Sequence, residues 1–141
     1  MTIAHYALPL WVTLAYIGVY YLFQINQLRV KVRLPGEYKA RGEKFDRYRS
    51  NDPQMLAADR YVGNALEHMG PFLSLLWLTA VFVSPLKAGI GGAVYVLARA
   101  SYPFAMGNKL GRAMPVRVMA ATIPGYLVLG YFVALLCYAA S

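Results

Sequence analysis

The sequence predicts an all-α integral membrane protein, a four-transmembrane-helix bundle, from three observations. Hydrophobic residues make up 59% of the 141 residues and charged residues only 14%, too apolar a composition for an ordinary soluble domain. From Ile3 to Ile25 no side chain is formally charged when His5 is neutral, and about 23 residues rising about 1.5 Å each reach across a hydrocarbon core of roughly 30 Å. The charges that sum to +8 crowd into connections between apolar runs, chiefly Arg29 to Arg49 and Lys109 to Arg117. Basic connections of this kind face phospholipid head groups, and the distribution excludes a nucleic-acid-binding surface.

By length the chain is a single domain, residues 1–141, with helices expected at about 3–28, 53–83, 85–107 and 115–139. In the first helix Trp11, Tyr20 and Tyr21 read as amphipathic anchors or helix-packing residues, and the helix lacks the basic start and small-residue cleavage site of a signal peptide. Residues 27–59 read as a polar connection, with turn signals at Leu34-Pro35-Gly36 and Asn51-Asp52-Pro53. The second helix opens with Asp52 as cap and Pro53 in the first turn, bends at Gly70-Pro71 and stops at Ser84-Pro85. A connection this short makes the second and third helices an antiparallel hairpin. Gly89, Gly91 and Gly92 let the third helix pack closely. The fourth helix is apolar with a bend expected at Pro124-Gly125. Because the basic connections share one side of the membrane, that side is expected to be cytoplasmic.

One stretch breaks the apolar pattern. Arg60, Asn64 and Glu67 fall on one helical stripe, with His68 on its flank, and lead straight into the apolar run Phe72 to Trp77. A guanidinium, an amide and a carboxylate cannot face hydrocarbon cheaply, so the stripe must meet other helices, a polar ligand or water. A salt-bridge network that only fixes packing is the structural alternative. His68 reads equally as a satisfied structural histidine or as a ligand contact. A metal site is not expected, since no second histidine lies near it and Cys137 is alone.

The pattern R-x-x-x-N-x-x-E at Arg60, Asn64 and Glu67, followed by Phe72-Leu73-Ser74-Leu75-Leu76-Trp77, resembles the hallmark of the MAPEG family, the membrane-associated proteins of eicosanoid and glutathione metabolism. V-Y-x-x-A-R-x-x-Y at Val94, Tyr95, Ala98, Arg99 and Tyr102 is similar to its leukotriene-forming synthase branch. The resemblance implies a homotrimer of four-helix subunits that binds glutathione as co-substrate, without a metal, between neighbouring subunits. It further implies that Arg60 and Arg99 hold carboxylates, that Glu67 receives the amine, and that Asn64, His68 and Tyr102 line the ligand. Arg29 and Arg33 look similar to basic residues that border the site. Arg112, in the context R-x-x-P with Pro115, resembles the arginine that stabilises the glutathione thiolate. Without a one-residue gap in the preceding connection that position falls on Ala113. Met106 and His68 stand where the leukotriene-forming branch has tyrosines. The implied activity is a glutathione transferase or glutathione-dependent peroxidase acting on a lipophilic molecule from the bilayer. The alternative is a non-catalytic lipid-binding or scaffold protein of the same family.

Overall fold

The computed structural model describes residues 3–49, 51–110 and 116–141. Among these residues the chain is helical, with no strand. A single 3-10 turn, Ile3–Tyr6, leads into α1, Ala7–Ala40, and the chain continues through α2, Pro53–Phe82, α3, Pro85–Ala100, α4, Tyr102–Met106, and α5, Arg117–Ala140. Three stretches are long and apolar enough to cross a membrane: Ile3–Ala40, Pro53–Phe82 and Arg117–Ala140.

The first helix corrects the expected bounds of 3–28, because α1 runs on to Ala40 through the Leu34-Pro35-Gly36 turn signal. Tertiary packing outweighs the local signal. Leu34 is buried against Met55 and Ala58 of α2, and Arg33 pairs with Glu37 at 3.0 Å across the proline. Pro35 lies on the exposed side, where the hydrogen bond it forfeits can be replaced by water. At about 1.5 Å per residue, the 34-residue helix is about 51 Å long. It therefore projects well beyond a hydrocarbon core of roughly 30 Å. Its end is closed by Gly42 at φ 74°, with the Glu43 N–H donating to the Tyr38 carbonyl at 2.9 Å.

The second helix starts as expected. The Asp52 carboxylate accepts from the backbone N–H groups of Gln54 at 2.8 Å and Met55 at 3.1 Å, and Pro53 occupies the first turn. Asp59 then ties three segments together: it accepts from Gln27 of α1 at 2.8 Å and from both terminal nitrogens of Arg47 at 3.0 and 2.8 Å. Helices α2 and α5 run without interruption through Pro71 and Pro124.

The expected third helix, 85–107, is divided at Ser101 into α3 and α4. Pro103 supplies the reason, since it has no N–H to donate to the Arg99 carbonyl. Helix α3 is the hub of the bundle. A Cβ on Gly89 would come within 2.3 Å of Leu8, one on Gly92 within 2.7 Å of Val12 and 2.8 Å of Leu76, and one on Gly91 within 2.8 Å of Phe132. Bare backbone at these positions lets α3 approach α1, α2 and α5. The core beside it is aromatic: Phe72 and Tyr95 stack with centroids 4.0 Å apart, and Tyr16 packs on both while donating to the Ala65 carbonyl at 2.6 Å.

Candidate functional site

The α2–α3 hairpin brings the two polar motifs together. Arg99 Nη1 donates to Asn64 Oδ1 at 2.8 Å, joining the stripe on α2 to the last turn of α3. Arg99 is only 1% exposed. Its guanidinium lies 5.1 Å from the centre of the Tyr95 ring, and room for it comes from Gly125 of α5, where a Cβ would stand 3.1 Å from Nη2. Arg99 Nε and Nη2 are buried and make no hydrogen bond among the described residues.

The rest of the stripe is open. Arg60 and Glu67 approach one another to 4.0 Å, with their side chains 45% and 63% exposed. Their depth follows from the packing of α2 on α1. Asp59 is level with Gln27, near the end of the uncharged run, whereas Ala65 is level with Tyr16, well inside it. Glu67 is two positions further along α2 and lies at the depth of apolar α1. His68 packs edge-on against Tyr126 of α5 with ring centroids 5.3 Å apart. One turn of helix thus presents a carboxylate to the surface and an imidazole to a neighbouring aromatic ring.

The other expected site residues are distributed differently. Tyr102 is buried in the core and meets Tyr61 at 6.3 Å in a perpendicular arrangement, while the Tyr61 hydroxyl donates to the Gly107 carbonyl. Arg29 faces a cavity of about 240 Å³ between α1 and α2, lined also by Asn26, Arg33, Gln54, Tyr61 and Asn108. Arg112, with its alternative Ala113, lies outside the described residues. Among the described residues no group of histidine, cysteine and carboxylate side chains is arranged to hold a metal ion. Tyr126 and Gly125 were not foreseen as neighbours of the stripe. Both sit in an apolar helix with no polar pattern, so only the packing of α5 reveals them.

The helical fold agrees with comparison to known proteins. The MAPEG family matches residues 8–139, nearly the whole length. The chain belongs to the MAPEG family. No curated protein matches it. With membrane-length apolar helices, membership identifies this MAPEG chain as an integral membrane protein, and the Asn64–Arg99 bond becomes the point at which the two family-like motifs touch.

Proposed function

We propose that this MAPEG chain is a membrane-bound glutathione transferase or glutathione-dependent peroxidase acting on lipophilic electrophiles from the bilayer. One observation supports this reading above the others: Glu67 stands open at the depth of apolar α1, with Arg60 4.0 Å from it towards the end of the uncharged run, while Asn64 between them is held by a buried arginine. Charges at that depth require polar company. Glutathione carries two carboxylates, an amine and a thiol, and so complements a guanidinium, a carboxylate and an amide arranged along one helix. In this reading Arg60 holds a carboxylate, Glu67 receives the amine and Asn64 contributes a hydrogen bond, with His68 at the flank. Arg99 acts through Asn64 as a positioning residue, because its burial keeps it from direct contact. Tyr102 supports α2 from the core. Arg29 borders the site from the basic end of α1. The open face is closed by the next subunit of a homotrimer, with the basic connections on the cytoplasmic side.

Arg112 is the group assigned to the thiol. Its guanidinium favours the thiolate, and the proton passes to solvent. In the transferase reaction the sulfur then attacks the electrophilic carbon, an S–C bond forms, and the electron pair leaves with the displaced group.

The test is glutathione binding to the purified protein, followed by thiolate absorbance. The parent should bind glutathione and show thiolate at neutral pH. Glu67→Gln should weaken binding by roughly 1.5–3 kcal/mol. Arg112→Ala should leave affinity nearly unchanged but raise the pKa of the bound thiol toward about 8.5. Turnover at neutral pH should fall, with partial recovery as the pH rises. Arg117→Ala is the matched control, and equal loss there would reduce the effect to general surface charge. Bound glutathione without thiolate or turnover would favour the non-catalytic lipid-binding reading.

A further inference from the structure

The connection between α1 and α2 folds back along both helices. Residues 41–49 leave the end of α1 through Gly42, at φ 74°. From Gln27 to Ala40 the helix rises about 20 Å, yet Gln27 and Arg47 bond the same carboxylate, Asp59 of α2. Arg47 has therefore returned almost to the level of Gln27. On the way back the Phe45 ring packs on Tyr38, with centroids 5.2 Å apart, and on the buried cluster of Leu34, Met55 and Ala58. Asp46 then accepts from the backbone N–H groups of Tyr48 at 2.9 Å and Arg49 at 3.2 Å, a local turn that leaves Tyr48 and Arg49 exposed.

The hold on this segment is local. Among the described residues, 44–49 make no backbone hydrogen bond to either helix. One ring and one bidentate ion pair fasten them, and the paired side chains of Arg47 and Asp59 are 27% and 33% exposed. Breaking the pair strands no buried charge, because Gln27 keeps its bond to Asp59 and water reaches both ions. Opening is therefore a low-energy event of this segment alone. Its place on α2 gives it a consequence. Asp59 immediately precedes Arg60, so its carboxylate stands on the order of 10 Å from an anion held by Arg60. Closed, Arg47 neutralises Asp59; open, the bare carboxylate repels that anion. We infer that residues 41–49 are a strap that Arg47 latches to Asp59, and that opening the latch lifts Phe45 from the groove between α1 and α2 and weakens anion binding at Arg60. By linkage, an anion on Arg60 favours the closed strap to the same degree. The latch stands without the glutathione reading, whereas its effect at Arg60 rests on it.

The experiment is limited chymotrypsin digestion of the full-length protein in mild detergent, because cleavage after Phe45 requires the strap to lift from the helices. The parent is compared with Asp59→Asn, Arg47→Gln, the double variant and Arg49→Gln, the last a matched control on an exposed arginine outside the latch. Asp59→Asn and Arg47→Gln should each speed cleavage after Phe45 about tenfold, the scale of one charge-assisted interaction. Arg49→Gln should not. Glutathione binding then separates charge from packing. Arg47→Gln should bind glutathione roughly two- to threefold more weakly, the scale of two unit charges about 10 Å apart in a watery setting. Asp59→Asn and the double variant, in which no bare carboxylate remains, should bind like the parent. Unchanged cleavage in Asp59→Asn, equal acceleration in Arg49→Gln, or cleavage spread through the helices overturns the latch. Equal weakening in Arg47→Gln and the double variant overturns the effect at Arg60. Absence of glutathione binding in the parent rejects the glutathione reading and the effect at Arg60 with it, while faster cleavage after Phe45 in the unlatched variants still upholds the strap.

Discussion

Arg99 and Asn64 show how the environment of one residue sets its role. A guanidinium that is 1% exposed and bonded to an amide loses far more when its partner is removed than when both groups are replaced together. Asn64→Leu should therefore destabilise the detergent-solubilised protein by about 1–3 kcal/mol, while the double change Asn64→Leu with Arg99→Met should recover part of that loss. Denaturant titration of the double-mutant cycle measures the coupling, and strictly additive losses would contradict a direct structural link. Glu67, 63% exposed, predicts the opposite behaviour. Its replacement by Gln should leave stability nearly unchanged and act on ligand affinity instead.

Among the elements, α3 carries the tightest geometric demand. Gly92 sits between Val12 of α1 and Leu76 of α2, with a Cβ placed 2.7 and 2.8 Å from them. Gly92→Ala should lower stability by about 1–3 kcal/mol through overpacking. Gly18→Ala in α1 meets no atom within 4 Å and should be neutral or stabilising by up to about 1 kcal/mol through helix propensity. Thermal unfolding of the two variants separates crowding from propensity, and equal effects would remove close approach as the explanation. The length of α1 follows the same principle from the other direction, since burial of Leu34 against α2 carries the helix through a proline.

At the scale of the whole molecule, the open charges on α2 are the feature a single subunit does not cover. Glu67 is partly exposed at the depth of apolar α1 and Arg60 is partly exposed nearer the end of the uncharged run, and a neighbouring copy can cover this face without exposing the charges to hydrocarbon. Native mass spectrometry in mild detergent should find a trimer. A stable monomer that keeps glutathione affinity would refute a site shared between subunits.

Much of this protein was legible in its residues. Apolar runs of membrane length and the capping pair Asp52-Pro53 reported helices directly, because span length and first-turn chemistry are local properties. The spacing of Arg60, Asn64 and Glu67 placed a polar stripe on α2, and the short Ser84-Pro85 connection brought Arg99 to its level, as the 2.8 Å bond to Asn64 bears out. The division at Ser101 is also written locally, in Pro103, through which the expected helix 85–107 runs. What the tertiary structure alone decided was the division of the stripe: Asn64 turned inward, Arg60 and Glu67 left open, and His68 set against Tyr126. Helical period assigns residues to a face, but which part of that face is buried depends on where α3 and α5 lie. Arg29 came to line a cavity between α1 and α2 for the same reason: its surroundings were set by packing between helices, which spacing along one helix does not encode.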